Sequence, residues 1–147
     1  MDIGIVSKPS TDLYFRLDYR SKKLKTKAVT LNETESKGIN QEFMVPIQLP
    51  LMTSRIVIKV YDEDTVQDEI MGSIHFDLKE LMGEKNKLFF WKNIYGAPKG
   101  VSGRTTDMMN ENPEMASLFK GRVLMQVVAE KVEKPKMKVD KISPDMI

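Results

Sequence analysis

Apolar and polar positions alternate with period two along most of this chain. In the segment 13–19, Leu13, Phe15 and Leu17 fall on one side, and Tyr14, Arg16 and Asp18 fall on the other. That is the pattern of a strand with one buried face. Arg20-Ser21-Lys22-Lys23 supplies a turn, and the segment 24–30 follows as the hairpin partner. A short strand is expected over 42–47, where Pro46 marks an edge or an end. Two β-branched runs, 54–61 and 70–76, flank a short acidic loop. Residues 77–82 read as one helical turn, with Asp77 as its cap and Gly83 as its stop. Further strands are expected over 87–91 and 121–130.

Short strands separated by turn signals, with almost no helix, define an all-β chain. The expected architecture is an antiparallel β-sandwich of seven to eight strands. Residues 93–117 hold three Gly and two Pro without a clean period, so a long irregular connection precedes the last strand. Residues 1–131 form the expected domain. Residues 132–147, Lys-rich and interrupted by Pro135 and Pro144, read as a basic, frayed C-terminal tail.

Composition changes this picture in two ways. The 147 residues contain no Cys, which excludes a disulfide scaffold, a zinc-thiolate site and a Cys nucleophile, and fits a reducing compartment. Apolar runs fall short of the about 18 residues that read as a membrane-spanning helix. The formal net charge is only +2, but the charges are segregated. Acid gathers in Asp62, Glu63, Asp64, Asp68 and Glu69; base gathers in Arg16, Arg20, Lys22, Lys23, Lys25 and Lys27.

The acidic loop has two readings. It is a solvated surface loop, or its hard oxygens hold Ca²⁺. It is not an EF-hand, because it lacks the central Gly and the twelve-residue span. The lysines also have two readings. Lys23, Lys25 and Lys27 share one face at period two, and Lys22 lies beside them. Such a row attracts an anionic phospholipid membrane, or it protects a sheet edge from pairing. No aromatic residues interleave among these lysines for base stacking, so nucleic acid is not an expected partner. His75 is the only histidine. It sits on a strand away from the acidic loop and reads as structural. With no Cys and no plausible triad, the chain carries no enzyme machinery.

In order along the chain, four pieces resemble a C2 domain. Thr11-Asp12-Leu13-Tyr14-Phe15-Arg16-Leu17 resembles the family's strand entry. Lys22-Lys23-Leu24-Lys25-Thr26-Lys27 resembles its polybasic strand. Thr30-Leu31-Asn32, followed by Ile39-Asn40-Gln41-Glu42-Phe43, resembles its Thr-Leu-Asn signature split by an insertion. Val60-Tyr61-Asp62-Glu63-Asp64 through Ile70-Met71-Gly72 resembles its third loop. The resemblance implies a C2-type sandwich in which Asp12, Asp62 and Asp64 are calcium ligands and Asp68 or Glu69 closes the shell. It places Val6 where the family has its first calcium aspartate, which implies a weak or degenerate site.

The second half narrows the resemblance. Asn93-Ile94-Tyr95-Gly96-Ala97-Pro98 and Met115-Ala116-Ser117-Leu118-Phe119-Lys120-Gly121-Arg122-Val123-Leu124-Met125 are similar to the end of an internal C2 domain of the ferlin family. That implies a membrane-targeting module of a vesicle-fusion protein, cytoplasmic and peripheral at membranes, within a tail-anchored chain that engages protein partners of vesicle fusion. The alternative is a calcium-independent protein-interaction or structural C2 domain within a larger chain. The family's opening strand falls on residues 2–6, with Ile3, Ile5 and Val6 as its apolar positions. If these residues do not pair, the C-terminal tail or a neighbouring copy would fill the gap, and pairing through that open sheet edge would make a homo-oligomer.

Overall fold

The computed structural model describes residues 10–32, 36–48, 54–81, 89–98, 104–112, 114–116, 118–128, 133–134 and 136–142. Nine strands and two helices run along these residues. They are β1 Ser10–Tyr19, β2 Lys22–Lys25, β3 Val29–Asn32, β4 Gln41–Met44, β5 Arg55–Asp62, β6 Glu69–Asp77, α1 Leu78–Leu81, β7 Phe90–Gly96, α2 Arg104–Glu111, β8 Leu118–Met125 and β9 Lys138–Lys141. A seven-stranded sheet has the order β2-β1-β5-β6-β7-β8, with β3 also pairing β1. The second sheet is the pair β4-β9. Every pairing is antiparallel.

The alternation read from the sequence sets the core. Phe15, Leu17 and Tyr19 of β1 bury one face with Ile56, Ile58 and Val60 of β5, Ile74 of β6, Ile94 of β7 and Leu78 of α1. Ile39, Phe43, Val45 and Ile47, in and around β4, pack on this cluster. Val123, Met125 and Val127 close it from the β8 side, as their spacing requires. Burying each large aliphatic side chain contributes roughly 1.5–3 kcal/mol relative to exposure.

The expected hairpin forms, with a two-residue turn at Arg20 and Ser21. Both residues have positive φ, 48° and 64°, because a turn of that twist matches the twist of the flanking strands. The partner strand is shorter than expected. It ends at Lys25 because the Thr26 hydroxyl accepts the Phe15 N–H at 3.0 Å while Thr26 N donates to Phe15 O at 2.9 Å. Chain 29–32 then pairs separately with the start of β1.

Two regions differ from the sequence reading. The segment 93–117 is not wholly irregular: β7 continues to Gly96, and residues 104–111 form α2. The tail is not frayed throughout, since residues 138–141 pair with β4 in the register Gln41↔Lys141 to Met44↔Lys138. The expectation placed on residues 2–6 lies outside the described residues. Asp77 caps α1 as expected, accepting the Lys79 N–H at 2.9 Å.

A buried polar clamp holds α2. Asn110, 6% exposed, accepts the Ala97 N–H at 2.7 Å and donates to Ile70 O at 3.0 Å. Gly96 makes room for it. A Cβ there would stand 2.3 Å from Met71 O and 2.6 Å from Asn110 Oδ1. Asn110→Ala removes both hydrogen bonds and strands a buried N–H, so it should destabilise the domain by about 2–3 kcal/mol in chemical denaturation. A change within about 0.5 kcal/mol, the usual range for surface substitutions, would show that α2 is not clamped this way.

Candidate membrane-binding face and acidic loop

In an antiparallel sheet, directly opposed residues project to the same face. Strand register therefore assembles one row across six strands. Lys25 of β2 opposes Arg16 of β1, and Arg16 opposes Lys59 of β5. Lys59 opposes Ser73 of β6, Ser73 opposes Tyr95 of β7, and Tyr95 opposes Phe119 of β8. Lys23 opposes Asp18 on the same face. This face lies opposite the core.

The basic flank of the row is organised by aromatic rings. Tyr14 and Tyr61 stack with centroids 5.2 Å apart and an 8° interplanar angle. The Arg16 guanidinium lies 4.9 Å from the Tyr61 centroid, and Lys25 Nζ lies 5.4 Å from that of Tyr14. Contacts of this kind contribute about 0.5–1 kcal/mol each at exposed sites. Asp18 is the acid in this flank. It takes Arg16 in a fork, at 2.9 and 3.0 Å, and Lys59 at 3.5 Å. Lys23 and Lys25 are exposed and form no salt bridge among the described residues, although the Lys25 charge acts on the nearby Asp68 carboxylate.

The four lysines singled out from the sequence separate. Lys23 and Lys25 lie on this face. Lys22 opposes Tyr19 and belongs to the other side of the strand. Lys27 lies beyond the end of β2, where its N–H donates to Gln41 Oε1 at 2.9 Å. Arg16 and Lys59 complete the basic flank in place of Lys22 and Lys27. Their roles depend on strand register, which alternation alone does not supply.

The acidic loop spans 63–68, between β5 and β6. Asp12 and Asp62 are adjacent, with Asp62 Oδ1 accepting the Asp12 N–H at 3.3 Å. The remaining carboxylates are drawn elsewhere. Asp12 Oδ1 accepts the Thr30 hydroxyl at 2.6 Å. Asp64 Oδ1 caps Thr65 N at 2.6 Å. Asp68 accepts the Tyr14 hydroxyl at 2.7 Å and the Asp64 N–H at 3.0 Å. Glu69 is exposed at the start of β6. Among the described residues no group of three or more His, Cys, Asp or Glu side chains converges to hold a metal. Calcium takes 6–8 oxygens around one point. The side-chain arrangement seen here, with Asp68 turned back onto β1, does not fit that requirement.

Asp68 instead anchors the loop. The Tyr14 hydrogen bond, followed by the bond from Asp64 N, holds its carboxyl below the usual range. Burial and the same hydrogen bond push the Tyr14 hydroxyl above its ordinary value. His75 is structural here too. Its Nδ1 accepts from Arg55, and its Nε2 donates to Glu111 O at 3.1 Å. Burial, then the nearby Arg55 charge, lowers its pKa and keeps the imidazole neutral.

The comparison with protein families agrees with this architecture. Residues 3–94 match the family model of the C2 domain, and the chain belongs to that family. C2 domains are typically non-enzymatic modules that bind membrane lipid or protein, often with Ca²⁺. No helix among the described residues is long and apolar enough to cross a membrane.

Tyr14→Phe should raise the Asp68 pKa toward its ordinary value and loosen residues 63–68. Carboxyl-detected NMR titration and amide exchange measure both; an unmoved Asp68 titration would disprove the anchor. The sign for Asp68 follows from its depressed folded pKa: the stability it contributes is present above the unfolded carboxylate value and is lost as pH falls through the folded one. His75, also depressed, behaves alike in its own range. Below the ordinary histidine value near about 6.5 it takes up a proton, and Nδ1–H then faces the Arg55 guanidinium. Amide exchange around 108–112 should therefore rise as pH drops through the folded His75 value. Flat protection down to the carboxylate range would contradict the role given to this histidine.

Proposed function

We propose that this chain is a membrane-targeting C2 module whose β2-β1-β5 flank binds anionic phospholipid headgroups without requiring a calcium ion. The observation that carries this reading is the exposed Lys23–Lys25 pair, held in no salt bridge among the described residues, beside Arg16 and Lys59 on one sheet face. Sheet pairing fixes the strands that carry these side chains, so little backbone order is lost on binding. Each lysine near an anionic surface contributes about 1 kcal/mol. Asp64 and Asp68 of the acidic loop, engaged by Tyr14 and the loop's own backbone, and Asp12 of β1, engaged by Thr30, support calcium independence. The working location is the cytoplasmic side, peripheral at a membrane. The context of a ferlin-like vesicle-fusion protein, with its protein partners, draws support from the Asn93–Pro98 and Phe119–Met125 resemblance.

Co-sedimentation with phosphatidylserine-containing and pure phosphatidylcholine vesicles, each with Ca²⁺ and with chelator, tests the reading. Binding to the acidic vesicles in chelator is expected, weakening as salt rises. Lys23→Ala/Lys25→Ala should lower affinity about 30-fold, two lysines at about 1 kcal/mol each. Lys22→Ala/Lys27→Ala should have a smaller effect. Binding that needs Ca²⁺ would favour a metal-closed loop, and binding to neither vesicle would favour the protein-interaction alternative.

A further inference from the structure

The row that begins with lysines ends in aromatics. On β7 and β8 the outward positions pair as Trp91↔Leu124, Asn93↔Arg122 and Tyr95↔Phe119. Trp91 is 55% exposed, Phe119 53%, Leu124 42% and Tyr95 37%. Large apolar groups in one cross-strand ladder form a patch, unlike scattered surface hydrophobics. The patch is preorganised. Tyr95 and Phe119 meet edge to face at 6.0 Å, and the Arg122 guanidinium lies 4.3 Å from the Trp91 centroid.

The patch is in strand register with the basic flank through Lys59↔Ser73↔Tyr95, with the end of α2 lying over β6 between them, where Ser73 is fully buried and His75 Nε2 meets Glu111 O. Between them β6 and β7 share only the Ser73–Tyr95 pair. Beyond it the strands diverge around a cleft of about 420 Å³, lined by Ser73, His75, Trp91, Asn93, Tyr95 and Glu114 among others. The Ser73 hydroxyl is fully buried and has no hydrogen-bond partner among the described residues. The sheet face therefore grades from cationic at β2 to aromatic at β8.

We infer that the aromatic flank, Trp91, Tyr95, Phe119 and Leu124 with Arg122, is a second membrane contact that seats in the interfacial layer of an anionic bilayer while the lysine flank holds headgroups. This rests on the lipid-binding reading above and extends it to the opposite side of the same face. Charge complementarity selects the occupant. Lys23, Lys25 and Lys59 at one end and Arg122 within the patch favour an anionic surface. Trp and Tyr rings suit the depth where one end of a side chain is apolar and the other wet. Docked this way, the domain meets the membrane through the two flanks on either side of α2, not standing on the acidic loop.

Trp91 is the only tryptophan, so its emission reports this contact alone. The full chain is titrated with equimolar phosphatidylserine–phosphatidylcholine vesicles, with and without bromine on the upper acyl chain, while co-sedimentation measures binding separately. The expected result is a blue shift of Trp91 and quenching by the brominated lipid. Phe119→Ala, which leaves the reporter intact, should weaken binding about tenfold through lost apolar burial, and Trp91→Ala likewise. Vesicle binding with unchanged, unquenched Trp91 emission would overturn the aromatic contact while leaving the lysine reading standing, and would mark the patch as a protein-docking surface. Absence of any binding to acidic vesicles would overturn the lipid reading itself and this inference with it.

Discussion

The register between β1, β5 and β6 is the constraint on which everything else depends. With Leu17 opposite Ile58 and Ile58 opposite Ile74, Phe15, Leu17, Ile56, Ile58, Val60 and Ile74 all face the core. The same register puts Lys25, Arg16, Lys59 and Ser73 in line on the other face. Side chains alternate with period two, so a slip of one residue would exchange the two faces completely. The hydrophobic effect thus fixes the geometry of a polar surface that it does not itself stabilise. The basic flank is a by-product of core formation with a definite shape, which is why its lysines can act together.

Glycine and asparagine carry the other half of the architecture. Gly72 lets β7 come close: a Cβ there would stand 2.8 Å from Tyr95 O and from Ile94 Cγ2. Gly96 does the same for Asn110. At these points strand β7 and helix α2 dock onto β6, and that docking fixes Trp91 and Tyr95 across α2 from the basic flank. The motif around Asn93–Pro98 therefore has a physical content. It is the place where a third layer of chain closes on the sheet.

Much of the fold is legible in the sequence. Alternation in 13–19 and 55–60 marks the central strands, Asp77 marks a cap, and the spacing of Val123, Met125 and Val127 marks the closing strand. Helix α2 is not legible, because its buried residue is Asn110 and no apolar stripe announces it. Strand β9 hides for a similar reason: a Lys-rich segment between prolines becomes a strand only because β4 offers an edge. The acidic loop is legible as charge but not as geometry. Asp68 finds Tyr14 from 54 residues away, a tertiary event that no local count of carboxylates foretells. Among the lysines, Thr26 decides the outcome, since its hydroxyl ends β2 and removes Lys27 from the row.

The central claim is that the sheet face, not the loop end, meets the membrane. Paramagnetic broadening of backbone amide resonances by a nitroxide lipid in anionic nanodiscs tests it directly. Face-on docking predicts that broadening follows the cross-strand row, strongest at Lys25, Arg16, Lys59, Tyr95 and Phe119, and spares the tip of the 63–68 loop. Broadening confined to that loop and to the Thr30–Asn32 end of β3, with the row untouched, would contradict the account.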